Sequence, residues 1–92
     1  MKVVFKYELP MKPLFELVLP DGAEILTFKE QNKEFYIWCL VDTGRKTGIR
    51  HFEMSGTGEP ITKEIIRYIG TIVTDNDERV FHLFEVSSCD EW

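Results

Sequence analysis

The sequence predicts an all-β domain: a small antiparallel β-sandwich or barrel of six to seven strands. Short segments alternate apolar and polar residues with a period of two. Turn-forming clusters separate them at spacings of about 8–14 residues, the rhythm of antiparallel sheets. Seven Phe, three Tyr and two Trp among 92 residues provide the bulk for a core, since each ring removes roughly 150–250 Å² from water.

Lys2 to Glu8 alternates cleanly, with Val3, Phe5 and Tyr7 on one face and Lys2, Val4, Lys6 and Glu8 on the other. Pro10 and Pro13 end it, because neither can donate to a ladder. Leu14 to Leu19 is the second strand, aligning Phe15, Leu17 and Leu19. Pro20-Asp21-Gly22 is a turn in which proline presets φ and glycine accepts a positive one. Ala23 to Glu30 forms the third strand, its apolar face carrying Leu26 and Phe28. The polar Gln31-Asn32-Lys33 turn joins it as a hairpin to Glu34–Val41. That fourth strand reads EFYIWCLV, apolar on both faces, and is the spine of its sheet.

Asp42 to Gly48 is loop-like. Ile49 to Met54 follows, with Arg50, Phe52 and Met54 opposite Ile49, His51 and Glu53. After Ser55-Gly56-Thr57-Gly58-Glu59-Pro60, the spacing of Ile61, Ile65 and Ile69 and the placement of Pro60 predict a brief helical turn near residues 60–64. A hairpin of roughly 65–74 with 79–87 follows, turning at Asp75-Asn76-Asp77-Glu78. Residues 1–87 thus make a single β domain, and 88–92 an acidic C-terminal tail expected to fray, with Trp92 as a docking residue.

Sixteen acidic against eleven basic residues give a net charge of −5. This argues against non-specific nucleic-acid binding, which needs a Lys/Arg surplus to displace counterions, and against anionic membrane surfaces. No apolar run approaches the eighteen or so residues of a membrane span, and the opening residues lack a secretory h-region. With Cys39 inside the apolar fourth strand and Cys89 in the tail, a reducing cytoplasm with two free thiols is the expected setting.

The SGTGEPI stretch offers two readings. Neither a phosphate loop, which needs Lys-Ser or Lys-Thr after its glycines, nor a dinucleotide fingerprint is satisfied. A turn requiring positive φ at Gly56 or Gly58 accounts for it. A second reading is an anion nest of Gly56, Thr57 and Gly58 amides, completed by Arg50 and Lys63. His51 and His82 are the only histidines, and no His or Cys pair lies at metal-ligand spacing. His82 alternates with Val80 and Phe84, so a place in the core or an interface is expected. Catalysis is therefore the weakest class, and neither metal nor cofactor is implied. Tyr36 and Trp38, with Leu40, form an aromatic face that either a second layer or a partner covers, and an open strand edge offers self-association by sheet extension.

The order of motifs also resembles a family of small, uncharacterised bacteriophage and prophage proteins. Gly22, Ala23, Ile25 and Leu26 carry it first, then Trp38. Phe52 with Gly56-Thr57-Gly58, Pro60 and Ile61 follows, then Tyr68-Ile69-Gly70-Thr71, and finally His82 and Phe84. The resemblance implies a phage-linked setting inside a bacterial cell and an accessory, non-enzymatic role against host defence. Two binding modes fit such a role: blocking a host protein, or a homo-oligomeric sponge holding an anionic nucleotide through Arg50, Gly56, Thr57, Gly58, Lys63 and His82. A structural or adaptor module is a third.

Overall fold

The computed structural model describes residues 1–74 and 78–89. Among these, seven strands form two antiparallel sheets: β1 (Lys2–Glu8), β2 (Leu14–Pro20), β3 (Glu24–Gln31), β4 (Glu34–Asp42), β5 (Thr47–Gly56), β6 (Ile65–Val73) and β7 (Val80–Val86). One sheet runs β1-β4-β3 and the other β2-β5-β7-β6. The fold is an all-β sandwich, thin in one direction at 40 × 36 × 18 Å. Trp92 and the Asp75–Asp77 part of the predicted turn lie outside the described residues.

The core fills the space between the sheets. β4 contributes Phe35, Ile37, Cys39 and Val41, β5 Phe52 and Met54, β2 Phe15 and Leu19, and β7 Leu83. Phe15 and Phe52 are register partners and stack at 5.5 Å. Phe35 bridges the sheets by edge contacts with Phe28 and Phe81. β6 packs against β3 at Gly70, where a Cβ would stand 3.4 Å from Phe28 Cβ, within ordinary contact. β4 is central in its sheet, as its apolar pattern predicts. The β3–β4 hairpin turns through Asn32 and Lys33, both at positive φ (54° and 68°), the backbone of a tight turn whose twist matches its strands.

Three expectations are corrected. Leu26 does not share a face with Phe28: a bulge between Ile25 and Thr27 turns Ile25 and Phe28 inward and leaves Leu26 on the surface. β5 extends through Ser55 and Gly56, so the first two of the six residues of the predicted break are strand. Residues 60–64 make no helical turn. Instead Glu53 takes the Thr62 and Lys63 amides, the role of a capping carboxylate at a helix start, and a strand follows. Past β7, Ser87 N–H donates to Glu64 O at 3.0 Å, and within the tail Cys89 N–H donates to His51 Nδ1 at 3.3 Å.

Cys39 is fully buried, and that burial pushes its thiol up to about 11, Glu85 adding to the effect and Arg50 opposing it. The folded state therefore disfavours the thiolate. Stability is intact below the ordinary thiol value of 9.0 and declines as pH rises from there towards about 11. We expect iodoacetamide to modify the partly exposed Cys89 first and Cys39 only on unfolding. We also expect urea midpoints to fall across that alkaline window, and less steeply in Cys39→Ala.

Candidate functional site

Strand parity sends Phe52, Met54, Leu83 and Phe81 inward, and so sends Ile49, His51, Glu53, Ser55, His82 and Phe84 to the outer face of the four-stranded sheet. On this face the residues of three separate motifs meet. Thr57 Oγ1 lies 2.8 Å from His82 Nε2, and Thr71 Oγ1 lies 2.9 Å from His82 Nδ1. The Tyr68 hydroxyl continues the row, 2.6 Å from Thr71 Oγ1. A neutral imidazole has one donor and one acceptor, so the two threonines take opposite roles towards it. Tyr68 and Phe84 pack with ring centroids 5.5 Å apart. On the same face Tyr68 and Val73 beside the row, and Val18, Ile49 and Ile65 further along the sheet, are about half exposed or more. His82 is thus not a core residue. It holds the Gly56-Thr57-Gly58 bend onto the β6–β7 hairpin.

The bend itself is closed by the protein's own carboxylate. Gly56 N–H donates to Glu59 Oε1 at 2.7 Å, and Glu59 N–H returns to Gly56 O at 3.1 Å. Gly58 takes the positive φ, 88°, with open space where a Cβ would stand. An anion arriving at Gly56 must displace Glu59. We expect ¹⁵N-detected titration with pyrophosphate to leave the Gly56 amide unmoved in the wild type. Saturable movement of the Gly56, Thr57 and Gly58 amides in the wild type would contradict this closure.

Downstream, the chain folds back over β5. Glu53, on the outer face yet only 3% exposed, accepts from Thr62 N–H, Thr62 Oγ1–H and Lys63 N–H at 2.9–3.1 Å. Burying a carboxylate is tolerated because each contact is a charge-assisted hydrogen bond. Beneath this return lies a cleft of about 550 Å³ between Pro13, Leu14, Glu59, Pro60 and Lys63.

Arg50 does not join the bend. It lies six residues from Gly56 along β5, about 20 Å at strand rise, on the core-facing side. Its Nε and Nη2 each meet the Glu85 carboxylate at 2.8 Å, and Nη1 donates to Ala23 O. Glu85 also meets Arg67 Nε at 3.2 Å. Two guanidiniums thus share one carboxylate that is 6% exposed, and they line a cleft of about 500 Å³ with Gly22, Ala23 and Glu24. Sequence reasoning singles out neither Glu85 nor Arg67. A signal exists: Arg50 among Phe52 and Met54, and Glu85 among Leu83 and Phe81, are opposite charges on otherwise apolar faces.

On the other sheet, Tyr36 and Trp38 point outward as a tilted pair 5.9 Å apart, with Lys6 Nζ 4.6 Å above the Tyr36 ring. They are partly covered by their neighbours rather than by a second layer. Among the described residues, no group of His, Cys, Asp and Glu is arranged to hold a metal, and no helix is long and apolar enough to cross a membrane.

Fold and site together define a small two-sheet β domain with an ordered hydroxyl–imidazole row on one outer face. The chain belongs to the family described as a domain of unknown function (DUF7352), whose profile matches residues 1–91. No curated protein and no solved structure matches it.

Proposed function

We propose that this chain is a non-catalytic binding domain that blocks a host protein through the outer face of its four-stranded sheet, in a phage-linked setting in the bacterial cytoplasm. The phage setting and the role against host defence rest on the motif resemblance. The observation that carries the binding reading is the convergence of Thr57, Tyr68, Thr71 and His82 on one face, which also exposes Val73 close by and Val18, Ile49 and Ile65 further along the sheet. Satisfied polar groups among exposed aliphatic and aromatic residues are the makings of a protein interface. Catalysis fits this row poorly. A Thr57–His82 pair has a threonine, not a carboxylate, behind the imidazole, and the nearest Gly amide is spent on Glu59.

The test uses the chain as bait in lysate of infected cells, beside an Ile49→Asp/Tyr68→Asp variant whose fold is verified by circular dichroism. A host protein held stoichiometrically by the wild type and lost by the variant supports the reading. Equal capture by both, or no capture, overturns it.

A second reading has its own observation. The Arg50–Glu85–Arg67 cleft favours a small anion, such as a nucleotide phosphate, docking on the outward guanidinium of Arg67. Ligand binding raises the melting temperature by mass action. A nucleotide panel should therefore stabilise the wild type and not Arg67→Gln; no shift from any nucleotide would remove this reading.

A further inference from the structure

β1 is an outer strand of the three-stranded sheet, and its pattern is self-complementary. Thr43 N–H donates to Met1 O at 3.0 Å and Leu9 N–H to Phe35 O at 2.8 Å. The β1–β4 register runs unbroken between these bonds. Antiparallel ladders alternate, so the odd residues Val3, Phe5 and Tyr7 aim their backbone groups at β4. Lys2, Val4, Lys6 and Glu8 aim theirs away from the sheet, where no other strand among the described residues pairs with them. The side chains tell the same story. Phe5 is on the core side, opposite the fully buried Cys39, yet is 46% exposed, and Val4 behind it is 53% exposed. A free edge with a core-facing aromatic uncovered is a template for another strand.

We propose that the occupant is a second copy of this chain, with β1 pairing antiparallel to β1 about a two-fold axis at Phe5. The sequence K-V-V-F-K-Y-E fits itself in that register and in no neighbouring one. Lys2 falls opposite Glu8 of the second copy, twice by symmetry. Val4 falls opposite Lys6, and on the core side Val3 falls opposite Tyr7. Phe5 meets Phe5 at a non-hydrogen-bonded position, where side chains stand closest. The outward-aimed backbone groups of Lys2, Val4, Lys6 and Glu8 become the hydrogen-bonded pairs, so no ladder group is wasted.

Slipping by two residues in one direction sets Lys2 against Lys6, and in the other sets Lys6 against Lys6; like charges directly opposite destabilise. Slipping by one sends Phe5 to the wrong face. Lys6 does not guard this edge as an isolated edge lysine does: it is drawn back across the sheet, its Nζ 2.8 Å from Gln31 Oε1 and above Tyr36. The strand's start is also fixed, because Thr43 N–H and Oγ1–H both donate to Met1 O, at 3.0 and 3.3 Å. The dimer carries a continuous six-stranded sheet, β3-β4-β1-β1-β4-β3, and leaves the Thr57–His82 face of each copy free.

Sedimentation equilibrium of the full chain decides it. The wild type should approach twice 10.8 kDa as concentration rises. Lys2→Glu sets a second carboxylate against Glu8 at both symmetric positions and should weaken association about tenfold or more. Lys2→Glu/Glu8→Lys should restore it, since the pairing is reversed but complementary. Val4→Pro removes an edge amide that β4 does not use, and should give a folded monomer by circular dichroism. A wild type that stays monomeric, or a dimer indifferent to Lys2→Glu, overturns the proposal. So does a charge swap that fails to rescue, whatever Val4→Pro does to folding.

Discussion

Glu85→Ala should destabilise the domain by about 3–5 kcal/mol, the cost of leaving a buried charge without its partner. Arg50 is the reason: its guanidinium has only the Ala23 carbonyl left once the carboxylate is gone, and its side chain is 19% exposed. For a domain of this size, with total stability on the order of 5–10 kcal/mol, such a loss lowers the melting temperature by roughly 12 °C or more. Arg67→Ala should cost under about 1 kcal/mol, because an exposed ion pair contributes little. That difference separates the two guanidiniums although both touch Glu85. An Arg50→Met/Glu85→Leu double variant should recover most of the loss, since replacing a buried pair by apolar residues is often neutral. Thermal and urea unfolding of the four proteins gives the ranking. Equal losses for Arg67→Ala and Glu85→Ala would show that the pair is not buried as described.

Phe52→Ala should cost about 3–5 kcal/mol as well, for a different reason. The ring is fully buried, stacked on Phe15, and sits where β5 is clamped between β2 and β7. Truncation removes apolar burial and leaves a void that paired strands on either side cannot close. Phe52→Leu keeps much of the volume and should cost under about 1.5 kcal/mol. Urea midpoints measure both; near-equal effects would mean the cavity collapses and the stack is incidental.

Much of this fold is legible in the sequence because alternation is a local property. Lys2–Glu8 and Leu14–Leu19 each state their inward face within a few residues, and those residues lie on the core side; Glu34–Val41, apolar on both faces, states its central place in the sheet but not which face is inward. What escapes depends on contacts distant in sequence. The bulge at Leu26 breaks the period without any glycine to announce it. Glu53 alternates outward like any solvated carboxylate, and only the returning Thr62–Lys63 segment buries it. The isoleucine spacing after Pro60 mimics a helix because residues 61–64 are irregular and Ile65 begins a strand.

The candidate site is legible in pieces. Thr57 and His82 stand out separately, as a turn residue and an interior histidine, 25 positions apart. The β6–β7 register that brings Thr71 beside His82 follows from hairpin pairing. The fold-over of Gly56–Gly58 onto that hairpin does not. Arg50 stands out for charge alone, and its strand parity, which turns it inward to Glu85, separates it from the bend.

Hydroxyl-radical footprinting of the chain, free and saturated with its captured partner, tests the recognition surface most directly, because it reads side-chain exposure residue by residue. Tyr68, Ile49 and Ile65 should be shielded on binding, with Tyr36 and Trp38 unchanged. Shielding of Tyr36 and Trp38 with Tyr68 left open would contradict the account and assign recognition to the three-stranded sheet.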